Sequence, residues 1–408
     1  MTFQSIGVRP RTAATLLAGG IHEPNAVQRA AIPILLNGRD CVIEAPTGSG
    51  KTLGFVVPLA ERLAGHRGHG ARALIVTPTR ELATQVAAVI RTVDPGLRAV
   101  LCIGGVGYGP QTGGLRNAPD VIVGCPGRLL DLVKMGAARL SGIEYLVVDE
   151  ADEMLDQGFA PDVERIIALC RSHGDDGQRQ TVLASATMPA WVRTMIARHL
   201  RMPEHVRIAA EQAPMLEHGM MLVDRADKFR ALSTLLQHQR RGELTQTIVF
   251  HRTKHGARKL ARELVRHGHL AGELQGNLSQ NARDRALDAF RAGDTEVLVA
   301  TNVAARGIDV VNVGLVVNYE LPETPQWLTH RVGRTARNGA EGRAITFLSP
   351  DDDAQWRKLR RLGAPELRKL DGERLLDSGQ WISHAVPQVA GTRTPHPRRR
   401  RPRRPRRS

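Results

Sequence analysis

Along the 408 residues, short apolar runs recur at intervals filled by longer segments of mixed apolar and polar positions. The runs predict strands at Asp40–Glu44, Ala73–Val76, Val121–Val123, Ile143–Asp149 and Thr181–Ala184, then at Gln246–Phe250, Glu296–Ala300, Val313–Asn318 and Gly342–Phe347. A stretch such as Tyr145-Leu146-Val147-Val148 is apolar at every position instead of alternating. Such a strand needs cover on both faces, the condition of a parallel sheet held between two helix layers. Helical patterns fill the gaps, among them Arg80–Val93, Pro161–Cys170 and His255–His267. Repeated strand–helix–strand units predict an α/β fold with parallel sheets. The series runs twice, once to about Ile208 and again from about Met220, and a chain of this length is too long for one core. The expected organisation is a first domain over 1–208, a linker over 209–219 containing Pro214 and Gly219, and a second domain over 220–352. Past Pro350 the sheet pattern stops: 353–390 reads as a charged, partly helical extension with a helix at Asp353–Leu362. The Arg/Pro-rich end, 391–408, cannot bury a core and is expected to be disordered.

Composition narrows the partners. Aromatics make up only 3% of the chain, so Ala, Val, Leu and Ile must fill the cores, and base-stacking platforms are not expected. Of the net charge of +16, nine arginines between Arg393 and Ser408 account for nine, and the rest of the chain still carries +7. Both portions favour a polyanionic partner. Cys41, Cys102, Cys125 and Cys170 form no CxxC pair, which argues against a zinc finger and fits a reducing cytoplasm. The start of the chain shows no signal pattern and no window approaches the roughly 20 apolar residues of a membrane span, so a cytoplasmic protein without membrane attachment is expected.

Candidate chemistry begins at Ala45-Pro46-Thr47-Gly48-Ser49-Gly50-Lys51-Thr52, between a strand and a helical pattern. Glycines let backbone N–H groups turn onto phosphate oxygens; Lys51 would reach the terminal phosphates and Thr52 would offer its hydroxyl to Mg2+. A Gly-rich turn alone is a weak signal, and the strand–loop–helix setting is what strengthens it. Asp149-Glu150-Ala151-Asp152 ends an apolar strand, where open α/β sheets bind ligands. Asp149 is placed to hold Mg2+, directly or through water, and Glu150 to orient or deprotonate an attacking water. The bland alternative is an acidic helix start.

With these strings stand Pro78-Thr79-Arg80-Glu81-Leu82-Ala83, Gly104-Gly105, Pro126-Gly127-Arg128 and Ser185-Ala186-Thr187. Later come Gln280-Asn281-Ala282-Arg283, Ala304-Ala305-Arg306-Gly307-Ile308-Asp309 and His330-Arg331-Val332-Gly333-Arg334-Thr335. In this order, over roughly residues 3–350, the chain resembles the DEAD-box RNA helicases. The resemblance implies two RecA-like domains, ATP and Mg2+ as cofactors, and RNA bound largely without regard to sequence. It implies an ATP site of Phe3, Gln28, Thr47, Gly48, Ser49, Gly50, Lys51, Thr52, Asp309 and Arg334. Lys51, Asp149, Glu150, Arg331 and Arg334 become the expected catalytic residues, with Arg334 the principal arginine finger and Arg331 beside it. Asp152, Ser185, Thr187 and His330 are expected to couple hydrolysis to strand separation. Pro78, Thr79, Arg80, Gly105, Gly127, Arg128, Gln280, Arg283 and Thr301 are expected at the RNA.

The chain departs from the family in places. Pro24-Asn25-Ala26-Val27-Gln28 stands for the usual Pro-Thr-Pro-Ile-Gln, and Ile21 stands where an aromatic normally follows the glycine. Cys125 replaces a threonine before Pro126, and Asn302 an aspartate after Thr301. Each motif residue has a plain reading as well: Gln28 as a surface glutamine, Ser185 as a helix cap, the glycines as turns, the arginines as solvated charge. The expected activity is RNA-dependent ATP hydrolysis coupled to duplex unwinding or remodelling by a monomer, with ribosomal or RNA-decay complexes as candidate partners. The alternatives are an ATP-gated clamp or annealing chaperone that rarely unwinds, and a related motor acting on DNA.

Overall fold

The computed structural model describes residues 1–65, 70–170, 179–208, 216–240, 246–302, 313–336, 342–378 and 383–384. The first half builds one sheet from β1 (Cys41–Glu44), β2 (Ala73–Val76), β3 (Ala99–Cys102), β4 (Val121–Gly124), β5 (Tyr145–Val148), β6 (Gln180–Ser185) and β7 (Glu204–Arg207). Their order is β3-β4-β2-β5-β6-β1-β7, and every pairing is parallel. Alternate residues of the central strands enter two different cores. Ile43, Ile75 and Val147 pack on one face with Phe55, Leu59 and Val86, while Val42, Leu74 and Leu146 pack on the other with Leu129, Ile166 and Met195. That two-sided burial is why these strands carry no polar alternation.

The second half builds another sheet from β8 (Leu216–Leu222), β9 (Thr247–Phe250), β10 (Ala271–Leu274), β11 (Val297–Ala300), β12 (Leu315–Asn318), β13 (Gly342–Leu348), β14 (Arg368–Leu370) and β15 (Ser383–His384). Its order is β10-β11-β9-β12-β13-β8-β14-β15, parallel except for the β14–β15 pair. Raising each strand number of the first sheet by seven reproduces the first seven positions of the second.

Two expectations about boundaries change. Residues 216–219 belong to β8, so the span 209–219 is not linker throughout; 209–215 lie outside the described residues. The extension 353–390 is partly helical as expected, but the sheet does not stop at Pro350: after the helix Asp353–Arg361, β14 lies parallel against β8, and Leu370 packs into the second core. The tail 391–408 lies outside the described residues. No helix among the described residues is long and apolar enough to cross a membrane.

Candidate nucleotide and RNA site

The phosphate-loop candidate leaves the buried end of β1, and Ala45 N–H continues the sheet by donating to the Ser185 carbonyl at 3.1 Å. Gly48 and Gly50 adopt φ of +81° and +82°, a region that side chains resist, and the helix Lys51–Leu63 starts directly from Gly50. Lys51 is 5% exposed. Its ammonium donates to the Ala45 carbonyl at 2.7 Å and stands 3.7 Å from the Glu150 carboxylate. Thr52 follows, half-buried in the first turn of the helix, and Thr47 and Gly48 are exposed on the loop.

Asp149 follows β5 directly and is 2% exposed. Burial, reinforced by the adjacent Glu150 charge and opposed by Lys51, pushes its carboxyl up to about 7. Glu150 has φ +53°, a left-handed conformation costing a non-glycine residue about 1–3 kcal/mol, so the strain sits on the residue expected to meet the water. It is also the N-cap residue of the helix Ala151–Asp156. Asp152 accepts from Thr187 N–H at 2.9 Å and from the Thr187 hydroxyl at 2.7 Å. Ser185 Oγ accepts from Asp152 N–H at 3.2 Å and donates to the Thr187 carbonyl at 2.7 Å. Asp152, Ser185 and Thr187 thus form one hydrogen-bonded cluster, and Ser185 does not cap the following helix, whose N-cap is Pro189.

Gln28 is no surface glutamine. It is 3% exposed, and its Nε2 donates to the Gly50 carbonyl at 3.2 Å, which ties the helix Ala26–Leu36 to the loop. Phe3 departs from expectation: its ring is 3% exposed and packed into the first core, so it is not available to stack on an adenine. Ile21 packs against the same core.

In the second half the helix Pro325–Val332 carries His330 and Arg331, with Arg334 two residues beyond it. His330 Nδ1 lies 3.9 Å from the Glu153 carboxylate, facing the acidic segment of the first half, and burial lowers its pKa so that the ring favours neutrality. Arg334 is 8% exposed and its Nε donates to the His330 carbonyl at 3.2 Å. Arg331 does not stand beside it as a second finger. It is 1% exposed inside its own half, donating to Asn302 Oδ1 at 2.6 Å, Asn318 Oδ1 at 3.1 Å and the Glu320 carbonyl at 2.7 Å. Its guanidinium also lies over the Phe250 ring, and burial among neutral partners pushes its pKa down to about 9. Asn302, where a carboxylate was expected, is therefore the neutral partner of a buried cation. Asp309 lies outside the described residues.

Three of the expected RNA residues, Arg80, Gln280 and Arg283, make contacts across the boundary between the halves. Arg283 forms a buried ion pair with Glu81, Nη2 to Oε1 at 2.6 Å and Nε to Oε1 at 2.8 Å. Arg80 Nη1 donates to Gln280 Oε1 at 3.4 Å. The Arg80 guanidinium lies against Gly104 and Gly105, where a Cβ would collide with it. Arg128 donates to the Val106 carbonyl at 2.8 Å and sits over the Tyr108 ring. Gly127 is exposed beside it. Thr79 caps the helix Arg80–Val93 by accepting from Leu82 N–H at 3.2 Å. Pro78 and Thr301 are buried at strand ends. The reading of motifs passed over Glu81, Glu153 and Asn318, all of which make contacts here. Glu81 had a visible signal: a carboxylate inside a segment assigned to a polyanion needs a cationic partner.

A DEAD/DEAH box helicase family model matches residues 25–195, and a helicase conserved C-terminal domain model matches 227–339. The ATP-dependent RNA helicase CshA of Listeria monocytogenes is 39% identical over 352 residues, covering 85% of this chain and 66% of the relative. The DEAD-box ATP-dependent RNA helicase CshA of Bacillus subtilis is 38% identical over 375 residues, covering 91% of this chain and 74% of the relative. The chain belongs to the DEAD-box ATP-dependent RNA helicases. Yeast Dbp5, solved bound to RNA and ADP BeF3, superposes on this DEAD-box chain with a TM-score of 0.79 at 29% identity, covering 91% of this chain and 96% of that one. The shared architecture identifies the two sheets as tandem RecA-like domains.

Proposed function

We propose that this DEAD-box chain spends one ATP per closing of its two halves on a duplex or structured RNA, separating strands locally without reading their sequence. The observation that carries this reading is the approach of His330, from the second half, to 3.9 Å from Glu153 in the acidic segment of the first, the segment whose Glu150 stands 3.7 Å from Lys51.

In this reading Gly48, Gly50 and the first turn of the helix Lys51–Leu63 bind the phosphates through backbone N–H groups, and Lys51 exchanges the Ala45 carbonyl for a phosphate oxygen. Glu150 aligns the attacking water and takes its proton, and Arg334 meets the charge that spreads over the γ-phosphoryl oxygens, an effect worth about 10³–10⁵ in rate elsewhere. Asp149 and the Thr52 hydroxyl would hold Mg2+. A carboxyl pushed up to about 7 by burial and a neighbouring carboxylate is one whose ionised form a divalent cation would stabilise. When bound, Mg2+ supplies charge neutralisation between the β- and γ-phosphates. Asp152, Ser185 and Thr187 relay the state of that centre to the RNA face, because each hydroxyl can trade one partner for another.

The test is release of a labelled strand from a short RNA duplex, compared between ATP and a non-hydrolysable analogue, with a DNA duplex alongside. Strand release with ATP on RNA is the expected result. Tight RNA binding under both nucleotides without release would make the chain a clamp, and turnover driven by DNA instead of RNA would overturn the RNA assignment.

A further inference from the structure

Two amides grip consecutive carbonyls of the phosphate loop. Asn25 is the N-cap of the helix Ala26–Leu36, and its Oδ1 accepts from Gln28 N–H at 3.0 Å. The other end of the same amide, Nδ2, donates to the Ser49 carbonyl at 2.9 Å. Gln28 mirrors it: Oε1 accepts from Asn25 N–H at 3.0 Å and Nε2 donates to the Gly50 carbonyl at 3.2 Å. Each amide faces an N–H with its oxygen and a carbonyl with its nitrogen, so the four bonds fix both orientations together. A Cβ at Gly50 would run into both amides, so a glycine there makes room for this grip as well as for the left-handed turn.

In a planar trans peptide the C=O and the following N–H point in opposite directions. Holding the Ser49 carbonyl toward Asn25 therefore turns Gly50 N–H to the opposite side, and holding the Gly50 carbonyl toward Gln28 does the same for Lys51 N–H. We propose that Asn25 is a positioning residue that sets the phosphate-binding shape of the loop and acts on the phosphates independently of the base. The proposal rests on the reading of Ala45–Thr52 as the cradle for the ATP phosphates. A hydroxyl at position 25 could cap the helix, but its one oxygen stands a bond closer to the backbone and cannot also reach the Ser49 carbonyl. Because the adenine pocket lacks an aromatic at Ile21 and Phe3 is buried, pre-ordering the loop shifts affinity toward the phosphate end of the nucleotide, where less ordering remains to be done on binding.

The experiment uses the full chain with Asn25→Ser and, separately, Asn25→Thr, both of which keep a capping hydroxyl. Calorimetry with Mg2+ compares ATP, GTP and inorganic tripolyphosphate, and a thermal melt follows each protein. Loss of one hydrogen bond predicts about a three- to tenfold weaker affinity, by a similar factor for ATP and for tripolyphosphate, with the melting midpoint lowered by no more than about 2–4 °C, the cost of that one bond in the free chain. Unchanged affinities, a loss confined to ATP, or a fall in midpoint beyond about 4 °C would each overturn the positioning role. A native chain that binds ATP but not tripolyphosphate would instead overturn the assignment of the loop itself, which keeps the two failures apart.

Discussion

Glu150 combines a strained backbone with a carboxylate 3.7 Å from Lys51, and its neighbour Asp149 holds a proton to about 7. Replacing Glu150 by Gln keeps the shape and removes the base, so steady-state ATP hydrolysis is expected to fall by at least about 10²-fold while a fluorescent ADP analogue still binds. Lys51→Ala should abolish both. The Asp149 carboxyl, raised above its unfolded value, carries a proton in the folded, ligand-free chain between about pH 4 and about pH 7 that the unfolded chain has lost. That contribution favours the fold at low pH and disappears as pH rises through about 7, whereas holding a cation requires the ionised form. Mg2+ affinity in the presence of ADP is therefore expected to strengthen about tenfold from pH 6 to pH 8 and to lose that dependence in Asp149→Asn. Arg331 and Arg334 separate in the same manner. Arg331→Ala leaves the Asn302 and Asn318 amide oxygens and the Glu320 carbonyl without their buried donor and, at about 1–3 kcal/mol for each unsatisfied acceptor, should lower stability by about 3–5 kcal/mol in a denaturant melt. Arg334→Ala should spare the melt and nucleotide binding but remove turnover. Sequence order alone could not make this distinction, because two arginines three positions apart on one short motif read alike until burial tells them apart.

Nine strands were legible, and most of the others lie where burial is one-sided. Unread β3, β7 and β10 lie at sheet edges with one buried residue each; polar residues interrupt β7 and β10, whereas β3 is an unbroken apolar run, Ala99-Val100-Leu101-Cys102, that the sequence does display. Strand β8 is also unread, and the expected second domain starts at Met220 inside it, because Leu216-Glu217-His218-Gly219 mixes polar and apolar positions. Strand β14 is Arg368-Lys369-Leu370, in which only Leu370 is buried. The matching strand order of the two sheets goes further than the motifs did. Lys228 opens the helix after β8 as Lys51 opens the helix after β1, and Glu320 stands two residues beyond β12 as Glu150 stands two beyond β5. The second lysine, however, is already neutralised: its ammonium donates to Asp352 at 3.0 Å and to the Tyr319 carbonyl at 3.3 Å, and Ser349 completes the hold on Asp352. One half thus leaves its helix-start lysine on a loop carbonyl beside Glu150, while the other uses it to join the segments that follow β8, β12 and β13. Lys228→Ala is expected to cost about 1–3 kcal/mol in a thermal or denaturant melt and to leave ATP affinity unchanged. An equal loss of ATP affinity would mean that the second lysine also serves nucleotide.

At the scale of the whole molecule, three of the residues assigned to RNA, Arg80, Gln280 and Arg283, also join the halves, so RNA binding and closure compete for or share those side chains. The Glu81–Arg283 pair is 6% and 9% exposed, enough to make breaking one side costly. A double-mutant cycle with Glu81→Gln and Arg283→Met should return a coupling of about 1–3 kcal/mol in RNA-stimulated ATPase, with additive effects if the pair is incidental. The basic end of the chain makes a different demand. Its nine arginines have no acidic residue among them from Arg393 to Ser408, so the contribution expected of them is counterion release, which grows with the number of phosphates neutralised and fades with salt. Deleting 391–408 is expected to flatten the plot of log affinity against log salt for single-stranded RNA, by up to about 0.7 for each arginine engaged. Affinity at low salt should drop far more than affinity at high salt, and kcat at saturating RNA should not move, because Lys51, Glu150 and Arg334 are untouched. An unchanged salt slope would show that the tail makes no phosphate contact, and that the net +7 on the rest of the chain suffices to hold RNA.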